Sequence, residues 1–505
     1  MQLYNHFPLI MIILPLVISI AMVLIRDTKI ACSISLSVQL VLAILSLWLL
    51  LSLINAPVGS FTYSMGHFPA PWGNELRAGP LEATMSCAFA MVMFFSLMGG
   101  FHDITKDIKR EKANYYYLMI NLLTTSLTAL VYTNDIFTGY VFIEINTLAA
   151  CAIVVAKQGG ETIKATIKYL IMSVLGSSLY LLSTTILYGI TGQLLMEPAH
   201  KVISDLAGTG QYHIPLIMTL VLYSVAVAIK SALFPFHSWL PDAHGYATTT
   251  SSAVLSGLVL KGYIVLLIKL IFRVYGIDVV NMLGILPALF VLGLASMIVG
   301  SLIALNQKDI KRMIAYSSVA QVGYIFMGIG LNTPAGFTAA CFQIIAHAFT
   351  KSMLFIAAGA LIKTAGSKNI SDMVGVARKN KIAGIAFLVG SLSMIGVPLF
   401  AGFPSKFYLA GAAMQSTYGI WIAAFVLAIS AALNALYYVP TLMKFYSKND
   451  KKGREQETKV LPAEENKMKF ITSPALICLI SLNVAIGIFY VPLLNVIEQG
   501  FTWLR

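Results

Sequence analysis

The sequence predicts an all-α polytopic membrane protein of about fourteen transmembrane helices, and three observations carry that expectation. The 505 residues are 58% hydrophobic and only 11% charged, with a mean hydropathy of +0.82. Soluble domains carry about 25% charged residues, so a soluble core of this composition would leave too much apolar surface facing water. Long uncharged runs recur from Phe7 to Val491, each near the roughly 20 residues that cross a 30 Å hydrocarbon layer. The basic residues, finally, crowd into alternate connections.

Taken in order, apolar runs against polar breaks place spans at 7–26, 30–54, 84–101, 114–133, 135–156, 165–191 and 214–240. The remaining seven fall at 247–271, 279–305, 312–331, 336–362, 382–415, 417–443 and 470–493. The first run is long and lacks a basic leader, which fits a retained span rather than a cleaved signal. Odd-numbered connections hold 24 of the 34 Lys and Arg residues, among them Lys106 to Lys112 and Lys444 to Lys469. Even connections and the chain ends hold four, Arg77, Lys201, Arg273 and Arg505. Basic loops face the cytoplasm, so this bias predicts a multi-pass protein of the inner (cytoplasmic) membrane with both termini outside.

Two spans are long and interrupted, the seventh at Pro235 and the twelfth at Pro398, Gly402 and Pro404. They stand five helices apart. That spacing points to two inverted five-helix repeats with broken helices 7 and 12 around a midplane pathway. The expected organisation is helices 1–3 over residues 1–110, a first repeat over 111–272, and a second, inverted repeat over 273–445. A mixed-charge cytosolic linker (446–469) and a C-terminal helix (470–505) complete it.

The net charge of +13 lies in short loops, where it sets topology; no nucleic-acid partner is expected. Cys32, Cys87, Cys151, Cys341 and Cys478 are scattered and form no CxxC pair. No Walker A loop, GxGxxG turn, Ser/His/Asp arrangement or metal-ligand cluster is present in the sequence. The chain is therefore expected to hold no metal, no cofactor and no catalytic centre of its own.

Six basic residues remain inside the spans: Lys168, Lys230, Lys261, Lys269, Lys351 and Lys406. A charge at the bilayer centre costs about 2.5–3.5 kcal/mol on insertion scales, so such groups are functional by default. Lys168 and Lys269 lie near span ends, where snorkelling accounts for them. Lys230 and Lys406 flank the two breaks, and Lys261 sits midway along the eighth span. His347 and Lys351 are four residues apart and share a helix face, an arrangement suited to a proton relay. Glu144 is the one acid placed deep in a span, a partner able to set the proton affinity of a lysine. His237 and His244 are expected near the cytoplasmic mouth, where a proton could enter. An ammonium has no acceptor for a metal cation, so a lysine path favours protons as the species relayed.

The runs NDIFTGYVFIE, AIKSALFPFHSWLPDAH, LSGLVLKGY, NQKDIKRMIAYSSVAQVGY, AHAFTKSMLF and AGFPSKF resemble the antiporter-like subunits of the complex I superfamily. That family includes the proton-pumping membrane subunits of complex I, the large subunits of Mrp-type cation/proton antiporters, and counterparts in membrane-bound hydrogenases. The resemblance implies that Glu144 is the fifth-helix glutamate and Lys230 its seventh-helix partner. It likewise implies that Lys261 is the eighth-helix bridging lysine, His347 with Lys351 the eleventh-helix relay, and Lys406 the twelfth-helix ionisable group. The segment YSMGHFPAPWGNELRAGPLEA looks most like the D-type Mrp subunit. A proton-translocating subunit of a multisubunit Na+/H+ antiporter, or of a hydrogenase- or oxidoreductase-linked ion pump, is therefore expected, with other membrane subunits as partners. A complex I pumping subunit and a stand-alone secondary transporter are the alternatives.

Overall fold

The computed structural model describes residues 3–56, 59–68, 73–416, 420–448 and 462–504. It is 85% helical. Helices α1 (Phe7–Ala21) and α2 (Thr28–Ile54) lead into a β-hairpin of β1 (Phe61–Ser64) and β2 (Glu75–Ala78), antiparallel with Phe61 opposite Ala78. Then come α3 (Pro80–Asp107), α4 (Ala113–Tyr132), α5 (Ile136–Val155), α6 (Gly160–Thr191), α7 (Met196–Thr209) and α8 (His213–Lys230). Past a break, α9 (Leu240–Tyr246) precedes α10 (Thr249–Val254) and α11 (Leu260–Lys269). A π-helical stretch, Leu255–Val259, joins these two, and another, Leu270–Tyr275, follows α11.

The second half runs α12 (Ile277–Leu283), α13 (Leu286–Leu305), α14 (Ile310–Gly330), α15 (Pro334–Ala365) and the short α16 (Val376–Lys379). After it come α17 (Lys381–Ile395), α18 (Gly402–Gln415), α19 (Ile420–Tyr446), α20 (Pro462–Ile488) and α21 (Tyr490–Leu504). Most of the expected linker, residues 449–461, lies outside the described residues. Its last part already belongs to α20.

Eleven described helices are long and apolar enough to cross a membrane, or twelve if α20 and α21, bent by 74°, form one span. Two expected spans fall outside that tally. The twelfth is divided into α17 and α18, 15 and 14 residues long, and α4 is diluted by tyrosine, asparagine and threonine. Two departures from the sequence reading are the hairpin and α7, both in connections read as loops. The hairpin is fixed by β2, where the Glu75 carbonyl accepts from the Asn134 amide at 2.9 Å.

Side-chain caps mark where the helices begin. Asp27, Asp135 and Asp309 accept the free amides of α2, α5 and α14, and Thr333 does so for α15. The basic connections converge on one face: Lys157 pairs with Asp107, Lys168 and Arg312 with Asp242, and Lys368 with Asp309. The hairpin lies at the opposite end of α3.

Lipid-type exposure is confined to the periphery. Leu47, Leu51, Ile171, Phe425 and Met443 stand open on α2, α6 and α19, as a bilayer requires. Two segments have no such side. Thr249–Tyr275 is buried throughout, and so is the longer helix Pro334–Ala365 from Gly336 to Leu361. Close approach packs α14 beside α13, where a Cβ on Gly293 would lie 2.5 Å from the Met327 nitrogen.

Candidate functional site

Interrupting a helix inside a membrane frees backbone groups that water cannot satisfy. At the first break the Trp239 indole donates to the Ile229 carbonyl at 3.1 Å, and the Phe234 amide donates to Ser296 Oγ at 3.3 Å. At the second, the Gly402 amide donates to Ser393 Oγ at 3.0 Å and the Ala401 amide to Asn483 Oδ1 at 3.4 Å. Each break also holds one non-glycine residue in the left-handed region, Ala232 at φ 56° and Leu399 at φ 79°. Such conformations cost about 1–3 kcal/mol and gather at functional sites.

Lys230 ends α8 and is buried. Its ammonium donates to Thr147 Oγ1 on α5 at 2.6 Å and lies 5.5 Å from the centre of the Tyr263 ring. Glu144, one turn before Thr147, is half-buried and within electrostatic reach of Lys230. The lysine therefore has a hydroxyl as its direct partner and a carboxylate as a more distant one. Tyr263 in turn donates to Asn146 at 2.9 Å, and Asn146 to Ser126 at 3.0 Å, which fixes the ring.

Lys261 and the eleventh-span pair meet at the centre, on the two enclosed segments. The Lys261 ammonium donates to the Ser256 carbonyl, inside the first π-helical stretch. A π stretch leaves carbonyls without regular helix partners and recurs at functional positions. Ser256 Oγ and Ser318 Oγ are 2.9 Å apart. Lys351 donates to the Ile314 carbonyl at 2.8 Å and to Ser317 Oγ, which lies 2.8 Å from the Tyr438 hydroxyl. His347 is buried between these lysines, and among the described residues neither ring nitrogen has a hydrogen-bond partner. Lys261, His347 and Lys351 interact electrostatically with one another.

Lys406 sits in the first turns of α18 and reaches back across the break to the Met394 and Ile395 carbonyls, the latter at 2.9 Å. Its ammonium lies 5.0 Å from the centre of the Tyr324 ring. The Met394 carbonyl also accepts from Asn434 at 3.4 Å, and Asn434 accepts from Tyr437. Tyr437 lines a cavity of about 430 Å³ on the basic face, between Lys308, Thr441 and Lys444.

The two entry histidines part company. His237 is half-buried beside Tyr316, close to the first break. His244 is not at a mouth. It is fully buried, stacked on Phe355 at 4.8 Å, with both ring nitrogens unpartnered among the described residues and with Lys261, Lys311 and Lys351 as charged neighbours. Packing of α9 against α14 carries it inward, which loop composition could not reveal.

Sequence reasoning also missed a buried ionic cluster at the hairpin end. Lys269 does not snorkel: it is 1% exposed and donates to the Val131 and Thr133 carbonyls at the end of α4. Glu82 pairs with Arg77 at 2.6 Å, and Arg273 Nε donates to Asn134 at 3.0 Å. Placing the third span at 84 left Glu82 in a loop, although α3 begins at Pro80. The GPLE run, a proline and an acid opening a helix, was the available signal.

Residues 133–432 match the family model described as NADH:quinone oxidoreductase/Mrp antiporter, TM. The chain is 30% identical over 509 residues to NADH-quinone oxidoreductase subunit N of Desulforudis audaxviator (strain MP104C), covering 99% of each protein. It is 28% identical over 444 residues to the putative antiporter subunit mnhD2 of Staphylococcus aureus (strain NCTC 8325 / PS 47), covering 87% of this chain and 84% of that one. A chain in the archaeal respiratory membrane complex, membrane-bound sulfane sulfur reductase, superposes with a TM-score of 0.84 at 26% identity, covering 98% of this chain and 97% of the other. One in the Mrp complex from Dietzia sp. DQ12-45-1b gives 0.86 at 19% identity, covering 100% and 98%, a likeness of fold. These matches span the breaks, the enclosed helices and the buried lysines together, and the chain is a multi-pass, antiporter-like member of the NADH:quinone oxidoreductase/Mrp antiporter transmembrane family.

Proposed function

We propose that this chain relays protons within a multisubunit Na+/H+ antiporter or redox-linked pump, as a D-type subunit. The observation that carries the reading is the full burial of Lys261, His347 and Lys351 on two helical segments enclosed by the rest of the protein along those stretches. Burial there is costly and contributes nothing a leucine would not supply. In the proposed path, protons enter on the basic face near His237 and reach Lys230, whose affinity Glu144 sets. They pass through Lys261 and the His347/Lys351 face, then to Lys406 and onward to the outer face or a neighbouring subunit. His244, inside the protein, belongs to the central group rather than to the entrance.

The proposed topology has fourteen spans, counting α4 and the broken α17–α18 among them, with two inverted five-helix repeats over 111–272 and 273–445. Convergence of the basic connections on one face supports both termini lying outside the inner membrane. Partners are the other membrane subunits of the assembly, with Na+ as the coupled ion. A complex I-type setting is the second reading, favoured by the end-to-end similarity to a subunit N.

The test is Lys230→Ala in vesicles holding the assembled complex. Proton transport falls at least about tenfold, equivalent to about 1.4 kcal/mol of barrier. Undiminished transport rejects the relay.

A further inference from the structure

The relay above leaves one set of buried ionised groups without a task. At the hairpin end, Arg77, Glu82, Lys269 and Arg273 come together from β2, α3, α11 and the second π-helical stretch, none more than 8% exposed. Each cation has a partner: Arg77 on Glu82, Lys269 on two carbonyls of the α4 end, and Arg273 on Asn134. Among the described residues, Glu82 Oε2 is buried with no hydrogen-bond partner, while Lys269 and Arg273 act on the same carboxylate through space.

The cluster borders space. A cavity of about 650 Å³ opens at this end, and Arg77 and Arg273 form part of its wall with Ser60, Glu197, His200 and Trp503. Glu82 Oε2 lies just behind Gly79, where an added Cβ would sit 2.8 Å from that oxygen and 3.6 Å from the Ser60 Cβ. On the inner side, Lys269 stands eight residues after Lys261 on the same enclosed segment, about 12 Å along the axis at 1.5 Å per residue. The cluster therefore lies between the central lysines and an opening on the face away from the basic loops.

We propose that Glu82 and Lys269 form a proton-exchange station linking Lys261 to this cavity, the relay's exchange point with the hairpin-side compartment, while Lys406 exchanges with the neighbouring subunit and both are needed for turnover. A proton leaves the Lys269 ammonium as its N–H bond breaks, and an O–H bond forms on Glu82 Oε2 across a bridging water; the Lys269 amine then takes up the next proton arriving from the Lys261 side. The carboxylic acid then passes the proton to a cavity water, which leaves as hydronium, and the carboxylate is restored. Arg77 and Arg273 hold the carboxylate ionised between turnovers. Tyr132 on α4 faces Glu82, Glu75 and Glu197 face Arg273, and His200 and Lys201 stand on the cavity wall as further titratable groups there.

The inference rests on the chain translocating protons, so Lys230→Ala is run beside it. The decisive variant is Arg77→Met/Glu82→Met, which removes both charges of the pair and leaves neither unpaired. In vesicles with the assembled complex, transport falls at least about tenfold, and the residual rate no longer responds to the pH of the compartment facing the hairpin. Glu82→Asp retains that response. If the double variant assembles poorly, Lys269→Met, which keeps the Arg77–Glu82 pair, is read in the same way. Normal assembly with wild-type transport and wild-type pH response in either variant overturns the station. With Lys230→Ala still inactive, the relay would stand without it. Transport unaffected by Lys230→Ala would instead remove the relay itself.

Discussion

At the first break the lysine precedes the interruption and points away from it; at the second it follows the interruption and points back. Lys230 is the last residue of α8, and its ammonium reaches Thr147 on α5, with Glu144 one turn away. Lys406 lies within α18 and caps two carbonyls at the end of α17. Those carbonyls are the negative end of a helix dipole, fixed in place and unable to change charge. Glu144 sits on a separate helix and can gain or lose a proton or shift with α5. The same interruption, with a non-glycine left-handed residue two positions beyond the first half at the first break and four at the second, thus serves a lysine with an adjustable partner and one with a permanent partner. In the proposed relay the first is where affinity is switched, and the second is where a proton is held until the next group is ready.

Lys230→Ala is the largest expected effect, because it removes the proton carrier and leaves Glu144 facing a void. Lys406→Gln comes next and separates two roles. The amide can still donate to the Met394 and Ile395 carbonyls but cannot carry a proton between groups. Vesicle transport down about tenfold with normal assembly identifies a carrier. Wild-type transport would reduce Lys406 to a helix cap and break the parallel with Lys230. Glu144→Gln should fall between this and a mild defect, with a rate several-fold down, since Thr147 still holds the lysine. A Glu144→Gln loss no larger than that of a surface substitution would mean that the carboxylate sets nothing.

The lysines were legible in the sequence because a charge in an apolar run is costly wherever the chain folds. Both breaks were legible from Pro235, Pro398 and Gly402 for the same local reason. The partners were not. Thr147 and Ser317 are ordinary residues of membrane helices, and only packing brings them to an ammonium, with Tyr438 behind Ser317; Ser256, five residues before Lys261, is reached through the π-helical geometry. The π-helical stretches have no composition of their own. Inward packing of α9 hid His244, and a helix start misplaced by four residues hid Glu82. Charge is a property of one residue, whereas its neutralisation belongs to the fold.

The smallest effect is the sharpest test of how Lys230 is held. Thr147→Val keeps the shape and removes the hydroxyl that accepts from the ammonium at 2.6 Å. A hydrogen bond to a charged group contributes about 1.5–3 kcal/mol, but the Tyr263 ring and Glu144 remain to share the cation. Transport should therefore drop about two- to fivefold, less than one factor of ten per 1.4 kcal/mol would give for the full bond. The double variant Glu144→Gln/Thr147→Val then completes a cycle with the two single changes. If the carboxylate and hydroxyl act on one ammonium, their losses exceed simple addition, because each single variant leaves the other partner to compensate. At the second break, Asn434→Leu and Lys406→Gln alter two donors to the same Met394 carbonyl, so they couple without any titratable partner. Additivity at the first break would mean that Glu144 and Thr147 do not act on one ammonium, and the contrast between the two lysines would vanish.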